Sequence, residues 1–293
     1  VPGLPPETSR RIEWTGKVPR VHWSRGDVVY STALLNQTML TGSVCVSIER
    51  NDMSGHPWRH LSHRDRFLCY GLPIAVFLFM LIGDKPFPDF MPRMTGQELG
   101  FAEIAQELCL LCAGIMGIRI LSDRRLVVPL WLTVWVVVCM AGAVYSLLEE
   151  TSYGQHYFNW NTPDYWREIN RQEETNLHNI NSWFNQKPRT ILELGILLGG
   201  VVAPLVGRFN PAKISRLPGR IRIALPDPLL LTTALLAILP RMHERIVAAI
   251  GVGSDLFMRT SEVQELYFYY FILLYLLFLR RRLRVLYVES ESA

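Results

Sequence analysis

The chain has 293 residues, 49% of them hydrophobic, with 30 lysines and arginines against 26 aspartates and glutamates and a formal charge of +4. Its apolar residues are pooled into blocks long enough to cross a bilayer, which argues for one helical membrane domain and against two soluble ones. The basic residues stand beside those blocks, not in an aromatic-laced patch, which argues against a nucleic-acid partner. Five cysteines, an odd number, fall mostly in or beside apolar runs and imply no disulfide framework. Cys109 and Cys112 spell C-x-x-C inside an apolar helix and read as packing residues.

In chain order, residues 1–52 mix Pro, Arg, Ser and Thr without sustained periodicity, and are expected to be a disordered tail or a leader foreign to the membrane domain. Met53 opens a basic lead-in over 53–66, in which His56, His60 and His63 sit among arginines and read as a solvated juxtamembrane tract. Six apolar runs follow, over about 67–83, 100–121, 126–148, 190–207, 224–240 and 264–280, near the roughly 20 residues a bilayer crossing needs. The fifth begins with Pro226, Asp227 and Pro228 and is the least regular. The expected fold is therefore an all-α integral membrane protein of about six transmembrane helices over 67–284, with a polar tail at 285–293.

Arg59, Arg64 and Arg66 precede the first run, and Arg124 and Arg125 separate the second and third. Arg208, Lys213, Arg216, Arg220 and Arg222 separate the fourth and fifth, and Arg280, Arg281, Arg282 and Arg284 follow the sixth. These positions share one side if both termini are cytoplasmic. The arginines after the sixth run also suit anionic lipid.

The outer segment 149–188 is too patterned for a bare loop. Thr162 reads as a helix cap, Pro163 as a first-turn proline and Asp164 as a carboxylate at the helix's positive end. From there Trp166, Ile169, Glu173, Leu177, Ile180 and Phe184 fall at helical spacing. They predict an amphipathic interfacial helix between the third and fourth spans, lying along the outer surface as a partial lid, with Glu173 interrupting its apolar stripe.

Carboxylates, amides and an imidazole gathered at a membrane surface are costly to hold there and mark a site. Glu149 and Glu150 close the third span, where a desolvated pair either raises a pKa or recruits a cation. Glu174 and His178, four apart on the predicted helix, reach one ion or substrate group. Glu150, Glu174 and His178 are the candidate catalytic residues, and with Glu149 they are a candidate ligand set for a divalent metal. Gln155, Asn170, Asn176 and Asn179 supply hydrogen bonds. Acidic residues also mark the outer ends of other spans, namely Glu98, Glu103 and Glu107, then Glu193, then Glu262 and Glu265.

The string Glu149-Glu150-x-Ser152-x-Gly154-Gln155, followed by Thr162-Pro163 and Asn170-x-Gln172-x-Glu174-Thr175-Asn176-Leu177-His178-Asn179, resembles a family of uncharacterised multi-pass bacterial membrane proteins. The acidic start of the second span and Ser261-Glu262-x-x-Glu265 are similar to it as well, so the resemblance covers roughly 65–284. Tyr153 stands where the family pattern has tryptophan, and Glu173 where it has glycine. The resemblance implies a bacterial inner membrane with the polar segment on its outer face, and it implies no activity. Three readings remain open. One is an outer-face hydrolase or transferase for a lipid-type substrate. The second is a cation- or proton-coupled transporter with Glu103, Glu107 and Glu193 along its path. The third is an assembly subunit whose polar motif is a clamp.

Overall fold

A computed structural model describes residues 62–84, 100–126, 128–170, 173–177, 179–251, 256–257 and 259–291. The expectations for residues 1–52, for the lead-in up to 61, for Glu98 and for His178 lie outside the described residues. Among those described, the regular structure is helical throughout. Five helices are long and apolar enough to cross a membrane: His63–Ile82, Phe101–Ser122, Leu130–Glu150, Gln186–Phe209 and Thr260–Val285.

Helix α1 runs from His63–Arg66 through a π-helical turn, Phe67–Gly71, into Leu72–Asp84. The widened turn sits just before Pro73, which has no N–H to give back to the preceding turn. The Leu68 carbonyl accepts instead from the Tyr270 hydroxyl at 2.7 Å. Helices α2 (Phe101–Ser122) and α3 (Leu130–Glu150) form an antiparallel pair. Two short helices follow, α4 (Gln155–Phe158) and α5 (Asp164–Ile169). Helix α6 begins at Ser182–Gly195, widens into a π-helical stretch over Ile196–Val202 ahead of Pro204, and ends in Ala203–Phe209. Short helices α7 (Pro211–Ser215) and α8 (Gly219–Ala224) lead to α9 (Leu231–Ile250) and the long α10 (Thr260–Glu291).

Helix α10 is the axis of the bundle, with α2 on one flank and α9 on the other. Two thirds of its apolar window is buried, against at most 39% in the other four apolar helices. Its aromatic run makes this possible because each tyrosine hydroxyl finds an acceptor or donor. Tyr267 donates to the Pro73 carbonyl (2.7 Å), Tyr269 to Glu150 (2.8 Å) and Tyr275 to the Ala224 carbonyl (2.9 Å). Gly200 lets the π-helical stretch of α6 reach the bundle, since a Cβ there would stand 2.8 Å from both the Ala234 methyl and the Phe271 ring.

The arginines at 280–284 of α10 tie down one end of the bundle. Arg281 pairs with Asp65 at the start of α1, and Arg284 (3.1 Å) and Arg280 (3.5 Å) with Asp123 after α2. Arg282 donates to the Ile223 and Leu225 carbonyls at 2.8 and 2.9 Å, capping α8. These arginines have partners within the protein, and the Arg281 and Arg284 side chains are still 46% and 54% exposed.

Two sequence expectations are corrected here. The fifth apolar run does not start a helix at 224. Asp227 caps a 3₁₀ turn, Pro228–Leu230, through its carboxylate and the Leu229 N–H (3.1 Å), and the helix proper is Leu231–Ile250. With Arg241, His243, Glu244 and Arg245 in its second half, that helix falls outside the apolar set. The predicted amphipathic helix from 163 to 184 is also broken. Pro163, not Thr162, occupies the cap position of α5, and the helix stops at Ile169. Residues 173–177 are non-helical, so Glu174 does not lie on the predicted helix.

Candidate functional site

The chain leaves α3 through three successive residues with left-handed φ: Ser152 (47°), Tyr153 (57°) and Gly154 (97°). Glycine suits this at no steric cost; the other two are held there by what their side chains reach. Glu149 is buried at 4% exposure. One of its oxygens accepts from the Tyr153 hydroxyl and the other from the Leu177 N–H, both at 2.8 Å. The reversal thereby brings the 173–177 segment down onto the end of α3.

Ser152 has no exposed surface. Its Oγ lies 2.9 Å from Glu174 Oε2, 3.0 Å from His156 Nε2 and 3.0 Å from Asn176 Nδ2. A hydroxyl has one proton, which goes to the carboxylate as the strongest acceptor, while the amide of Asn176 can only donate. His156 Nε2 therefore carries its proton and donates, with Glu174 Oε1 at 3.5 Å beside it. That arrangement is the reverse of a serine nucleophile with an imidazole base, which needs an unprotonated nitrogen at the hydroxyl. Burial pushes the Glu174 carboxyl up. The hydrogen bonds from His156, Ser152 and Asn176 outweigh it and hold the group below its ordinary value of 4.5, so Glu174 is an anion at neutral pH.

The remaining amides complete the knot. Asn176, fully buried, also reaches Glu174 Oε2 at 2.5 Å, and Asn170 donates to the Asn176 carbonyl and side-chain oxygen, both at 2.8 Å. Gln155 accepts from the Thr175 N–H (2.9 Å) and hydroxyl (2.6 Å) and donates to Thr162 Oγ1 (2.7 Å). Thr162 in turn donates to the Glu173 carbonyl at 2.5 Å. Gln155 thus bridges two stretches of loop and not the carboxylates, and Thr162 ties a loop where the sequence predicts a helix cap.

Glu173 is exposed, with φ of 57°. A left-handed conformation costs a non-glycine residue roughly 1–2 kcal/mol, and the extra unfolded-state freedom of glycine costs about 0.5–1 kcal/mol. Glu173→Gly is expected to stabilise the protein by about 0.5 kcal/mol, read as a small rise in melting temperature in detergent; a fall would show that this turn is not strained.

A second polar group lies beside the knot. Glu150 accepts from Tyr269 at 2.8 Å, and Glu262 and Glu265 stand on the first turns of α10. Arg189 of α6 clips onto them, donating to Glu265 Oε1 (2.8 Å), to Gln264 Oε1 (2.5 and 3.1 Å) and to the Ser261 carbonyl (3.3 Å). Gln106 of α2 donates to the Glu262 carbonyl at 3.0 Å. Glu107 accepts from the Tyr157 hydroxyl, anchoring α4 to α2. Burial, then the hydrogen bond to Glu149 or Glu107, pushes the Tyr153 and Tyr157 phenols up to about 12, so both remain donors at neutral pH.

Both groups open on one cavity of about 1200 Å³. Glu103, Glu149, Glu150, Glu174, Glu262 and Glu265 line its mouth, together with His156, Asn179, Arg189 and Arg259. Below them it continues between α3 and α6, over α10, down to Trp135, Tyr275 and the Ala224–Pro226 turn.

Of the residues expected from sequence, Glu103, Glu149, Glu150, Glu174, Asn179, Glu262 and Glu265 meet around this mouth, with Gln155, Asn170 and Asn176 supporting them. Glu107 is drawn off by Tyr157, and Glu193 pairs with Arg245 (3.2 Å) away from the cavity. Among the described residues, no three His, Cys, Asp or Glu side chains form a group that could hold a metal ion. Sequence reasoning missed His156, four residues past Ser152, and Arg189. A cation directly before an apolar run, opposite an acidic start on another, is the signal that points to Arg189. No protein-family model, curated protein or solved structure matches this chain.

Proposed function

We propose that this is a multi-pass membrane protein with an outer-face site that binds a lipid-type substrate and acts on it by acid–base chemistry. The supporting observation is the cavity: it joins an ionised Glu174 and its His156 partner to an apolar channel reaching deep between the helices. An imidazole beside a carboxylate can take up and pass on a proton at the boundary where water meets an amphiphile. Glu150, at the same mouth, is the second carboxyl, and His178 stays in the catalytic set on sequence grounds.

In this reading α9 is a sixth crossing. It leaves the end of the bundle where Asp227 and Arg282 meet and leads toward α10, whose first turns carry the acidic mouth. Both ends of the membrane domain then lie on the cytoplasmic side with the arginine-rich loops, and the polar segment faces outward, as in the bacterial family that the motif resembles.

The metal-dependent form of the reading uses Glu149, Glu150, Glu174 and His178. Among the described residues no three His, Cys, Asp or Glu side chains form a group that could hold a metal ion. The metal-free form, which uses the hydrogen bonds of Glu149 and Glu174 as they stand, is the one we put forward. Transport is less supported, because of Glu103, Glu107 and Glu193 only Glu103 reaches the cavity.

Proteoliposomes of total bacterial lipid extract, profiled by mass spectrometry over time, test the proposal. A lipid consumed by the wild type should be consumed about 10²–10⁴-fold more slowly by Glu174→Gln at matched folding. Identical lipid profiles with and without the wild-type protein would reject catalysis and leave the polar knot as a clamp.

A further inference from the structure

We infer that the cavity is a channel for one hydrocarbon chain of a membrane lipid, and that Trp135 and Tyr275, joined at its floor, set the length of chain it takes. This rests on the lipid-site reading above and assigns that site its specificity-determining residues.

The channel follows one stripe of α3 from end to end. Trp135, Cys139, Gly142, Ser146 and Glu150 line it, spaced by three or four residues and so on the same helix face. From Glu150 to Trp135, at 1.5 Å per residue, it is about 22 Å long. One leaflet of a hydrocarbon core about 30 Å thick spans about 15 Å. A channel that starts among polar side chains and runs deeper than a leaflet matches a straightened membrane chain with its headgroup at the mouth.

The floor is built from four elements. Trp135 Nε1 of α3 donates to the Tyr275 hydroxyl of α10 (2.7 Å), and that hydroxyl donates to the Ala224 carbonyl at the end of α8 (2.9 Å). Pro226, in the turn that follows, closes on α6, since a Cβ at Gly199 would stand 3.1 Å from its ring. The indole N–H and the phenol O–H are satisfied by these bonds, and the rings they carry are the apolar face that the end of a chain meets.

The middle of the channel is kept open by glycine. Gly142 of α3 and Gly195 of α6 both line it, and a Cβ added at either would meet nothing within 4 Å. Gly142 lies about 12 Å below Glu150, near the midpoint. A leucine at that position projects into the channel and halves its usable depth. The sides suit entry from the bilayer: α3 leans on α2 and the π-helical stretch of α6 on α9, and among the described residues α3 and α6 do not pack along one another.

Fit selects the chain, because a chain that leaves the bilayer for the channel exchanges one apolar surrounding for another. Too long a chain must fold back or lift its headgroup from the mouth, and too short a chain leaves a void above the floor.

Uncharged monoacylglycerols with decanoyl, palmitoyl and docosanoyl chains, competing for the protein in nanodiscs and read by native mass spectrometry, test the assignment. The wild type is expected to prefer the palmitoyl over the docosanoyl chain by about tenfold. Trp135→Ala, which removes the floor, should erase or reverse that preference, while Gly142→Leu should favour the decanoyl over the palmitoyl chain by about tenfold. General loss of folding does not shift chain preference in opposite directions. A wild type that binds all three chains alike, or an unchanged order in either variant, would overturn the floor assignment and leave the lipid-site reading standing. Absence of binding by all three to the wild type, as expected if a protein helix fills the channel, would overturn both.

Discussion

Replacing Arg189 by alanine is expected to cost about 2–3 kcal/mol of stability, between the values for an exposed ion pair and for one partner of a fully buried pair. Arg189 and Glu265 are both 19% exposed at the side chain and meet at 2.8 Å. The same guanidinium satisfies Gln264 Oε1, on a residue with no exposed surface, and the Ser261 carbonyl. Alanine removes the ion pair to Glu265 and the donor to the Gln264 amide oxygen and the Ser261 carbonyl, and the clip between the first turns of α6 and α10 is lost. Arg189→Lys keeps the charge but not the planar fork, so it cannot serve Gln264 and Glu265 together, and an intermediate loss is expected. Arg189→Met combined with Glu265→Leu removes both charges and should recover most of the stability, because the penalty lies in the orphaned partner more than in the lost pair. Unfolding in mixed micelles measures all three. A loss below about 1 kcal/mol in Arg189→Ala would place the pair with ordinary surface ion pairs and sink the argument.

The apolar blocks were legible because bilayer length is a strong constraint on composition. The 100–121, 126–148 and 190–207 runs lie within or nearly within Phe101–Ser122, Leu130–Glu150 and Gln186–Phe209. The fifth run was misplaced because apolarity continues through Leu225 to Leu230, while the helix boundary is set by Asp227 capping a turn and by the following prolyl residue. The π-helical turns of α1 and α6 had a sequence trace in Pro73 and Pro204, yet periodicity alone does not convey a widened turn.

In the site, residue types showed where polar groups gather but not which of them pair. Helical spacing from Trp166 to Phe184 suggested a lid helix, and the hydrogen bonds of Thr162, Gln155 and Asn170 with the 173–176 segment won instead. Three amide and hydroxyl side chains offering the backbone alternative partners can override a 3.6-residue pattern. Ser152 was quoted within the motif and His156 overlooked. Their roles depend on left-handed φ at 152–154, which is invisible in a string whose middle residue is tyrosine.

Glu149→Ala is expected to be the most damaging single change in the polar segment, at about 2 kcal/mol. It removes the acceptor of the Leu177 N–H, and a donor left without one inside the protein costs about 1–3 kcal/mol, while the Tyr153 hydroxyl, on a residue 40% exposed, can turn to water. The Leu177 bond ties the Glu174 segment to α3, so the amides of Thr175 to Leu177 should exchange with solvent much faster in the variant. Glu149→Gln separates charge from shape. One oxygen remains to accept, the amide nitrogen faces the other donor, and a smaller loss is expected. Tyr153 reports on the same substitution: its phenol is pushed up to about 12 by burial and then by its bond to the Glu149 carboxylate. Without that carboxylate the phenol should titrate closer to its ordinary value of 10, since the carboxylate opposes a second negative charge at 2.8 Å. A fluorotyrosine probe at position 153, followed by NMR through alkaline pH, reads the shift. An unchanged Tyr153 titration in Glu149→Gln would mean that burial alone raises it. The Glu149–Tyr153 bond would then not hold the chain reversal in place, and the strain at Ser152 and Tyr153 would fall to the Ser152–Glu174–Asn176 contacts to sustain.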